Sequence, residues 1–446
     1  MTNELDDVLE GNLGYFWPQV TVGVADLRDE SVIRGFIHQR DDSMVEVRLL
    51  DERDVESGPL GSGRTDETVS VFGVGEKTGL LLPEVASKGF RTQIGSGSSI
   101  TWYRSRALIA RVDLETVASS RLVEAALVFP DGLAFAGESA LDQTTTWDPE
   151  TKKVSGVTYK LTSSTAEQVG GKHGAFELTI SPDWRTTRGA SATTIETGLL
   201  VSLRVRRPRK YADFRSHLIG VQDLLNMAHD RFTPARSGTA QVHSNGEGAV
   251  PPPRLWMHEC MVPPAPRTQS GQERTPLFFL ADLGGAPGLR RWLSVRDEYP
   301  DAAAVVTANY RGDASHIPAR LLETAAAIEM YVNQNRRNGA AWAKKSSAAP
   351  DHATALARRV GAPFDQLVGD SRVWGKRFRA VYNGIKHDPS FARDPDELWL
   401  LWWSGRVLLM AALLDRVAGS KAPSRRIFDD YRVTRNGSTI RSKLGT

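Results

Sequence analysis

The sequence of 446 residues predicts an α+β protein, with an N-terminal antiparallel β domain of sandwich-like form followed by a C-terminal all-α helical bundle. Two sequence patterns predict this order. Between residues 15 and 205, short runs rich in Val, Ile and Leu are broken by Gly, Pro, Asp and Asn, whereas after Pro276 the apolar residues recur at helical spacing. The length is a third argument, because one hydrophobic core rarely serves more than ~300 residues.

The β domain is predicted from strands that alternate apolar and polar residues, as in Met44-Val-Glu-Val-Arg-Leu-Leu50. Such alternation is typical of antiparallel strands that pack on one face. No segment of the length used by repeat proteins recurs, which excludes solenoids and propellers. A sandwich or a partly open barrel over residues 1–205 follows. Strands are predicted at 19–24, 44–50, 107–114, 156–161, 175–180 and 199–205.

The C-terminal part is predicted from helical periodicity and helix boundaries. Residues 206–310 are interpreted as a connector with a helix at 212–229 and one strand at 254–261, and residues 311–446 as the helical domain. Asp394 is the predicted N-cap of a long apolar helix, because Pro395 takes the first helical position and acidic residues follow. Helices are predicted at 288–298, 301–310, 318–337, 348–360, 371–387 and 395–417.

The net charge of +3 hides an asymmetry along the chain. Residues 1–200 carry 19 Lys and Arg against 30 Asp and Glu, a balance of −11. Residues 201–446 carry 37 against 23, a balance of +14. A polyanion therefore binds more favourably to the second half than to the first.

The single cysteine, Cys260, excludes an internal disulfide and a Cys-x-x-Cys zinc site, which favours a reducing compartment. The acidic N-terminus is unlike a secretory signal. The apolar stretch at 398–414 contains Arg406 and is shorter than the ~20 residues of a spanning helix. We expect a cytoplasmic protein without a membrane span, and the sequence indicates neither a cofactor nor a metal site.

The predicted helix at 371–387 has two different faces. At ~100° per residue, five polar residues fall within roughly 80° of one another around the helix axis, and five apolar residues cluster on the opposite side. The helix is predicted to end before Asp388-Pro389, which places the imidazole of His387 at its C-terminal end. A solvated face of an amphipathic helix is the simpler alternative. The polar face carries Arg372, Lys376, Arg379, Asn383 and His387, and the apolar face carries Trp374, Phe378, Val381, Tyr382 and Ile385.

The segment Tyr382-Asn-Gly-Ile-Lys-His387 resembles the signature of HEPN domains, in which a polar residue, usually Arg and often followed by Asn, shortly precedes a His. The segment at 321–330 is similar to the opening helix of the HEPN type found in ApeA-like antiphage proteins. Gly14-Tyr-Phe-Trp-Pro18, with the segments at 33–37 and 44–50, is similar to the start of the ApeA N-terminal β domain. The chain thus resembles ApeA-like antiphage proteins over most of its length.

The resemblance implies a metal-independent endoribonuclease that acts as a homodimer through a HEPN-type helical domain. His387 is then the acid and base, Arg379 and Asn383 contact phosphate, and Arg372, Lys376 and Lys386 bind RNA. These residue types suit the chemistry, because cleavage through the 2′-OH needs a group that moves its proton and a cation that stabilises the phosphate charge.

Tyr382 stands where these domains most often have Arg, and the nearest upstream arginine is Arg379, about two turns before His387. Two hypotheses remain. In the first, the chain cleaves RNA, such as tRNA or another structured RNA, when it senses a phage-derived protein or nucleic acid. In the second, it is a catalytically degenerate HEPN binding or dimerisation module in a phage-sensing protein. A ligand-binding β domain on a helical scaffold is a third, more distant alternative.

Overall fold

The computed structural model divides the chain into two compact units. One comprises residues 1–130, 140–219 and 234–263, and the other comprises 131–139, 220–233 and 264–446. All described strands lie in the first unit and the long C-terminal helices in the second, which confirms the α+β prediction. The described residues are 4–19, 32–40, 44–51, 69–75, 78–93, 98–137, 141–161, 167–173, 176–188, 192–246, 252–264, 275–312, 316–346, 350–388, 391 and 394–444.

The elements are numbered in chain order. The strands are β1 (Asn12–Gln19), β2 (Ile33–Gln39), β3 (Val45–Asp51), β4 (Val69–Val74), β5 (Gly79–Gln93), β6 (Ser98–Ser105), β7 (Ala107–Ala110), β8 (Val117–Phe129), β9 (Leu141–Trp147), β10 (Val154–Leu161), β11 (Glu167–His173), β12 (Phe176–Arg188), β13 (Thr193–Arg209), β14 (Ser237–Ser244) and β15 (Arg254–Met257). The helices are α1 (Glu4–Glu10), α2 (Gly132–Ala136), α3 (Tyr211–His229), α4 (His258–Met261), α5 (Ala286–Glu298), α6 (Pro300–Ala308), α7 (Ile317–Arg337), α8 (His352–Val360), α9 (Ala362–Val368), α10 (Ser371–His387), α11 (Pro395–Ala418), α12 (Ala422–Asp429), α13 (Tyr431–Thr434) and α14 (Gly437–Leu444).

The first six strands form a closed antiparallel barrel. They run in the order β5-β4-β1-β2-β3-β6, and β6 pairs back onto β5. The 15-residue β5 makes this closure, because its first part pairs with β4 and its second part with β6. The register with β4 shifts where β5 passes through Glu84, whose φ of 52° is uncommon for a side-chain-bearing residue. Fully buried apolar side chains such as Phe16, Val47 and Leu82 fill the interior.

The same sheet continues beyond the barrel through β7, β15, β14, β8, β13, β12 and β11. The hairpin of β14 and β15 is inserted between β7 and β8, although these two strands are neighbours in the sequence. Strands β9 and β10 form a separate two-stranded sheet. The predicted sandwich-like β domain is thus a barrel joined to an open sheet.

The strands predicted at 44–50 and 156–161 match β3 and β10, those predicted at 175–180 and 199–205 cover only part of the longer β12 and β13, and the one predicted at 107–114 is right only for its first half, β7. The strand predicted at 19–24 lies outside the described residues except for Gln19. The strand predicted at 254–261 is wrong in its second half. It ends at Met257, and the next four residues form α4, because the Val262 N–H donates to the His258 carbonyl and closes a helical turn.

A buried carboxylate lies on the outer side of the barrel beneath three arginines. The side chain of Glu46 is 2% exposed, and its oxygens accept from Arg40 Nη1 at 2.7 Å, Arg48 Nε at 2.9 Å and Arg104 Nε at 3.0 Å. Burial alone would raise the pKa of Glu46, but these hydrogen bonds outweigh burial and lower that pKa to about 2. The cluster therefore links β3 to β6 as an ionised network.

Replacing Glu46 with Gln is expected to destabilise the barrel by about 1–3 kcal/mol at pH 7, because three guanidinium groups lose their counter-charge. A carboxylate whose pKa is lowered by folding stabilises the fold fully at pH values above its ordinary pKa of 4.5. This stabilisation is lost as the pH falls towards about 2. Urea unfolding followed by circular dichroism should therefore show a steeper acid loss in the wild type than in Glu46→Gln. The control is Glu177→Gln, at an exposed position of β12, which should lose stability in acid as the wild type does. An equal loss of stability in acid for Glu46→Gln and the wild type would contradict this account.

The helical unit packs around α11. Helices α7, α8 and α10 contact one another, and α11 packs against α5, α6, α7, α8 and α12. Five of the predicted helices match α5, α6, α7, α10 and α11 to within two residues at each end. The helix predicted at 348–360 matches α8 from His352, and its first two residues lie outside the described residues. The prediction omitted the shorter α9, α12, α13 and α14.

Helix α11 begins as predicted, with the Asp394 carboxylate accepting from the Asp396 N–H at 3.0 Å. It is the one described helix long and apolar enough to cross a membrane, but 89% of its most apolar window is buried inside the protein. Arg406 interrupts this apolar surface. Its side chain is 4% exposed and donates to Tyr310 Oη at 3.0 Å and to Asp230 Oδ1 at 3.4 Å. A buried guanidinium of the helical unit therefore pairs with the half-buried carboxylate of Asp230.

Candidate functional site

Helix α10 has the bounds that the sequence predicts. The Asp370 carboxylate caps its start by accepting from the backbone N–H groups of Arg372 at 2.7 Å and Val373 at 3.2 Å. The helix ends at His387, with Asp388 in an extended conformation after it. His387 is exposed and therefore stands at the rim of the helix, as expected.

The apolar face of α10 holds the helix tightly in the bundle. Trp374 stacks on Phe378 with ring centroids 5.1 Å apart, and its indole N–H donates to Ser404 Oγ of α11 at 3.0 Å. Gly375 lies directly against α8, since a Cβ at this position would clash with Thr354 Oγ1. These contacts fix how α10 is rotated. Its predicted apolar face is confirmed for Trp374, Phe378 and Val381, which are buried, whereas Tyr382 and Ile385 are half-buried.

The opposite face presents the predicted polar stripe to solvent. Its five residues, Arg372, Lys376, Arg379, Asn383 and His387, are all exposed. None of the ion pairs within the described part of the chain involves the three cations among them. Arg377, on a different side of the same helix, instead pairs with Glu397 of α11. The stripe thus keeps its positive charge available for an anion.

Tyr382 and Lys386 interact with each other beside the stripe. The Lys386 ammonium donates to Tyr382 Oη at 3.1 Å and lies 5.3 Å from the centroid of its ring. Lys386, to which the HEPN resemblance assigns RNA binding, therefore brings a cation next to the residue that stands in place of the expected arginine.

A cleft of about 200 Å³ opens between α7, the start of α8 and α10. Arg379, Tyr382 and Asn383 line it from α10, and His387 is not among its lining residues. The remaining polar lining includes Glu329 of α7, Lys345 and His352. The structure therefore brings Arg379 and Asn383 together in one concavity and leaves Arg372, Lys376 and His387 on the open stripe.

His352, like Glu329, Lys345 and Asp351, is a cleft residue that the sequence prediction did not include. It occupies the first position of α8, directly after the N-cap Asp351, whose carboxylate accepts from the Thr354 N–H at 2.8 Å. The contact of Gly375 with Thr354 brings this end of α8 to α10. No sequence spacing connects His352 to Arg379, because they lie on different helices. The one available signal was a histidine beside a helix start in the basic half of the chain.

The described residues contain no group of three or more His, Cys, Asp or Glu side chains that could hold a metal ion. The cleft combines two cations, an amide and an imidazole with two carboxylates, Glu329 and Asp351, and the Asp351 carboxylate is engaged as the N-cap of α8. This set suits contacts to phosphate and transfer of a proton.

The family model described as ApeA N-terminal domain 1 matches residues 12–292. The chain belongs to this family. The ApeA match identifies a member of an antiphage defence family, and it confirms the N-terminal part of the resemblance. It covers the barrel, the open sheet and the start of the helical unit, and it ends before α10. No curated protein and no solved structure matches the chain.

Proposed function

We propose that this ApeA-family protein is an antiviral effector that acts as a metal-independent endoribonuclease of the HEPN type and stops growth during phage infection. The observation that carries the proposal is the exposed stripe on α10. Its Arg372, Lys376 and Arg379 form no ion pair within the described residues, and the helix that carries them ends in an exposed imidazole.

The roles follow from the chemistry of the side chains. Arg379 binds the scissile phosphate and stabilises the negative charge that develops on it. Asn383, one turn later on the same face, orients the phosphate or the ribose through its amide. His387 exchanges a proton with the reacting oxygens. Arg372, Lys376 and Lys386 hold the RNA backbone on either side of this centre.

The proposal includes partners. Structured RNA, such as tRNA, is the proposed substrate, and a phage-derived protein or nucleic acid is the proposed trigger. Two copies of the helical unit pair in a homodimer, so that two stripes line one RNA-binding groove. The proposed location is the cytoplasm, where both the trigger and the RNA are present.

Replacing Arg379 with alanine is expected to lower RNA cleavage by about 10²–10³-fold, because the developing phosphate charge loses a donor. The measurement is the fraction of intact RNA, by species, in cells expressing each variant during phage challenge. Arg377→Ala is the matched control, since Arg377 is an exposed arginine of the same helix that pairs with Glu397. It should cleave like the wild type.

The same experiment separates the alternative hypothesis. A binding or dimerisation module would protect cells from phage equally well with Arg379→Ala, and RNA would stay intact in every strain. Intact RNA during protection by the wild type would therefore reject the nuclease and favour the degenerate HEPN module, with Tyr382 as the substitution responsible.

A further inference from the structure

His352 is held in one orientation by a side chain of α7. Its Nε2 lies 3.2 Å from Asn333 Oδ1, and the same oxygen accepts from Arg336 Nη1 at 2.9 Å. An amide oxygen only accepts, so the proton of the neutral imidazole resides on Nε2. The lone pair of the ring is then on Nδ1.

The surroundings of His352 favour its neutral form. Burial lowers its pKa below the ordinary value of 6.5, Glu329 opposes this effect, Arg336 and Lys345 add to it, and Asp351 opposes it. Asp351 is already occupied as the N-cap of α8. A neutral imidazole with a defined tautomer has the state required of a general base near pH 7.

The cleft places this imidazole with phosphate-binding groups. Arg379, Asn383 and Lys345 line the same concavity as His352. Its volume of about 200 Å³ is several times the ~30 Å³ of one water in the liquid. It therefore has room for a substrate group larger than a bound water.

We propose that this cleft binds one ribonucleotide of the RNA and that His352 is a further catalytic residue, the general base for the 2′-hydroxyl. This inference rests on the proposed ribonuclease function and assigns to His352 the proton abstraction. His387, at the open end of the stripe, then acts as the acid. Arg379 and Lys345 bind the phosphate between them.

The step balances with these two histidines. The 2′-oxygen attacks the adjacent phosphorus while its proton passes to Nδ1 of His352. The bond from phosphorus to O5′ breaks while protonated His387 gives its proton to O5′. The products are a 2′,3′-cyclic phosphate and a 5′-hydroxyl, and exchange with water restores both histidines.

The first test is His352→Gln, because a glutamine amide can still donate to Asn333 but cannot act as a base. The measurement is the number of RNA ends with a 2′,3′-cyclic phosphate in phage-challenged cells. We expect about a 10²–10³-fold loss. The control is His316→Gln, an exposed histidine just before α7, which should leave the number unchanged.

The second test distinguishes a base from a structural residue. In Asn333→Asp, a carboxylate replaces the amide beside Nε2 and raises the pKa of His352. The acid limb of the pH profile of cleavage by the purified full-length chain, measured with extract of phage-infected cells as the source of the trigger, should move to higher pH by about one unit. In His352→Gln this limb should disappear.

The outcomes separate the two proposals. Wild-type cleavage that persists in His352→Gln, or an acid limb that does not move in Asn333→Asp, would overturn the role of His352 and leave the ribonuclease standing. Absence of new RNA ends in the challenged wild type would reject the ribonuclease, and the role of His352 with it.

Discussion

Replacing His387 with alanine is expected to lower RNA cleavage by about 10²–10⁴-fold and to abolish protection of cells against phage. The physical reason is that the leaving oxygen of the ribose must gain a proton as its bond to phosphorus breaks. His387 is exposed at the last position of α10 and forms no hydrogen bond within the described residues that would occupy its ring. Plaque counts on cells carrying each variant, together with RNA integrity, provide the measurement.

His316→Ala is the control for this prediction, since it removes an exposed histidine of the same unit that lies off the stripe. Equal thermal unfolding of both variants would show that the fold is intact. Protection by His387→Ala at the wild-type level would contradict the acid role, and it would favour a protein that acts through binding alone.

Replacing Arg406 with alanine should destabilise the helical unit by about 3–5 kcal/mol, because a large buried side chain and its hydrogen bonds are lost, and this is the largest stability effect that we expect in this protein. The guanidinium is buried and donates to Tyr310 Oη, Asp230 Oδ1 and, at 3.4 Å, the Val306 carbonyl. Its removal takes a donor from Tyr310 Oη and from the Val306 carbonyl, leaves Asp230 Oδ1 with only the Tyr310 hydroxyl at 3.0 Å among these contacts, and opens a cavity in the core. Thermal unfolding followed at 222 nm should show a melting temperature lowered by about 10 °C.

The matched control is Arg416→Ala, another arginine of α11. Arg416 pairs with Glu298 at 2.8 Å, but both side chains are about one-third exposed. Such a pair contributes about 0–1 kcal/mol because water screens the charges. If Arg406→Ala and Arg416→Ala had the same melting temperature, the contacts of Arg406 would stabilise the unit no more than the exposed pair does.

Helix boundaries were predictable where capping and proline chemistry mark them. Asp394 and Pro395 start α11, and α10 ends before Asp388-Pro389, so both helices lie where the sequence predicts. The rotation of α10 was predictable too, because Trp374 and Phe378 had to face the core. The residues of the polar stripe could therefore be predicted from the sequence of α10 alone.

Contacts between distant segments were not predictable in this way. Barrel closure depends on one long strand, β5, changing partners between Val85, which pairs with β4, and Ala86, which pairs with β6, and no periodicity marks that change. The presence of His352 in the same cleft as Arg379 depends on the close approach of Gly375 to Thr354, which is a tertiary contact. The basic half of the chain was visible in the charge balance, but the cleft within it was not.

The insertion of β14 and β15 between β7 and β8 sets the order in which the β unit is completed during synthesis. The barrel strands leave the ribosome first and pair locally. The open sheet joins them only when β15 has been made, on the order of ten seconds later at ~5–20 residues per second. Until then β7 has one unpaired side, which a chaperone or a neighbouring nascent chain can contact. The time between synthesis of β8 and synthesis of β15 is therefore the time for which this strand edge stays open.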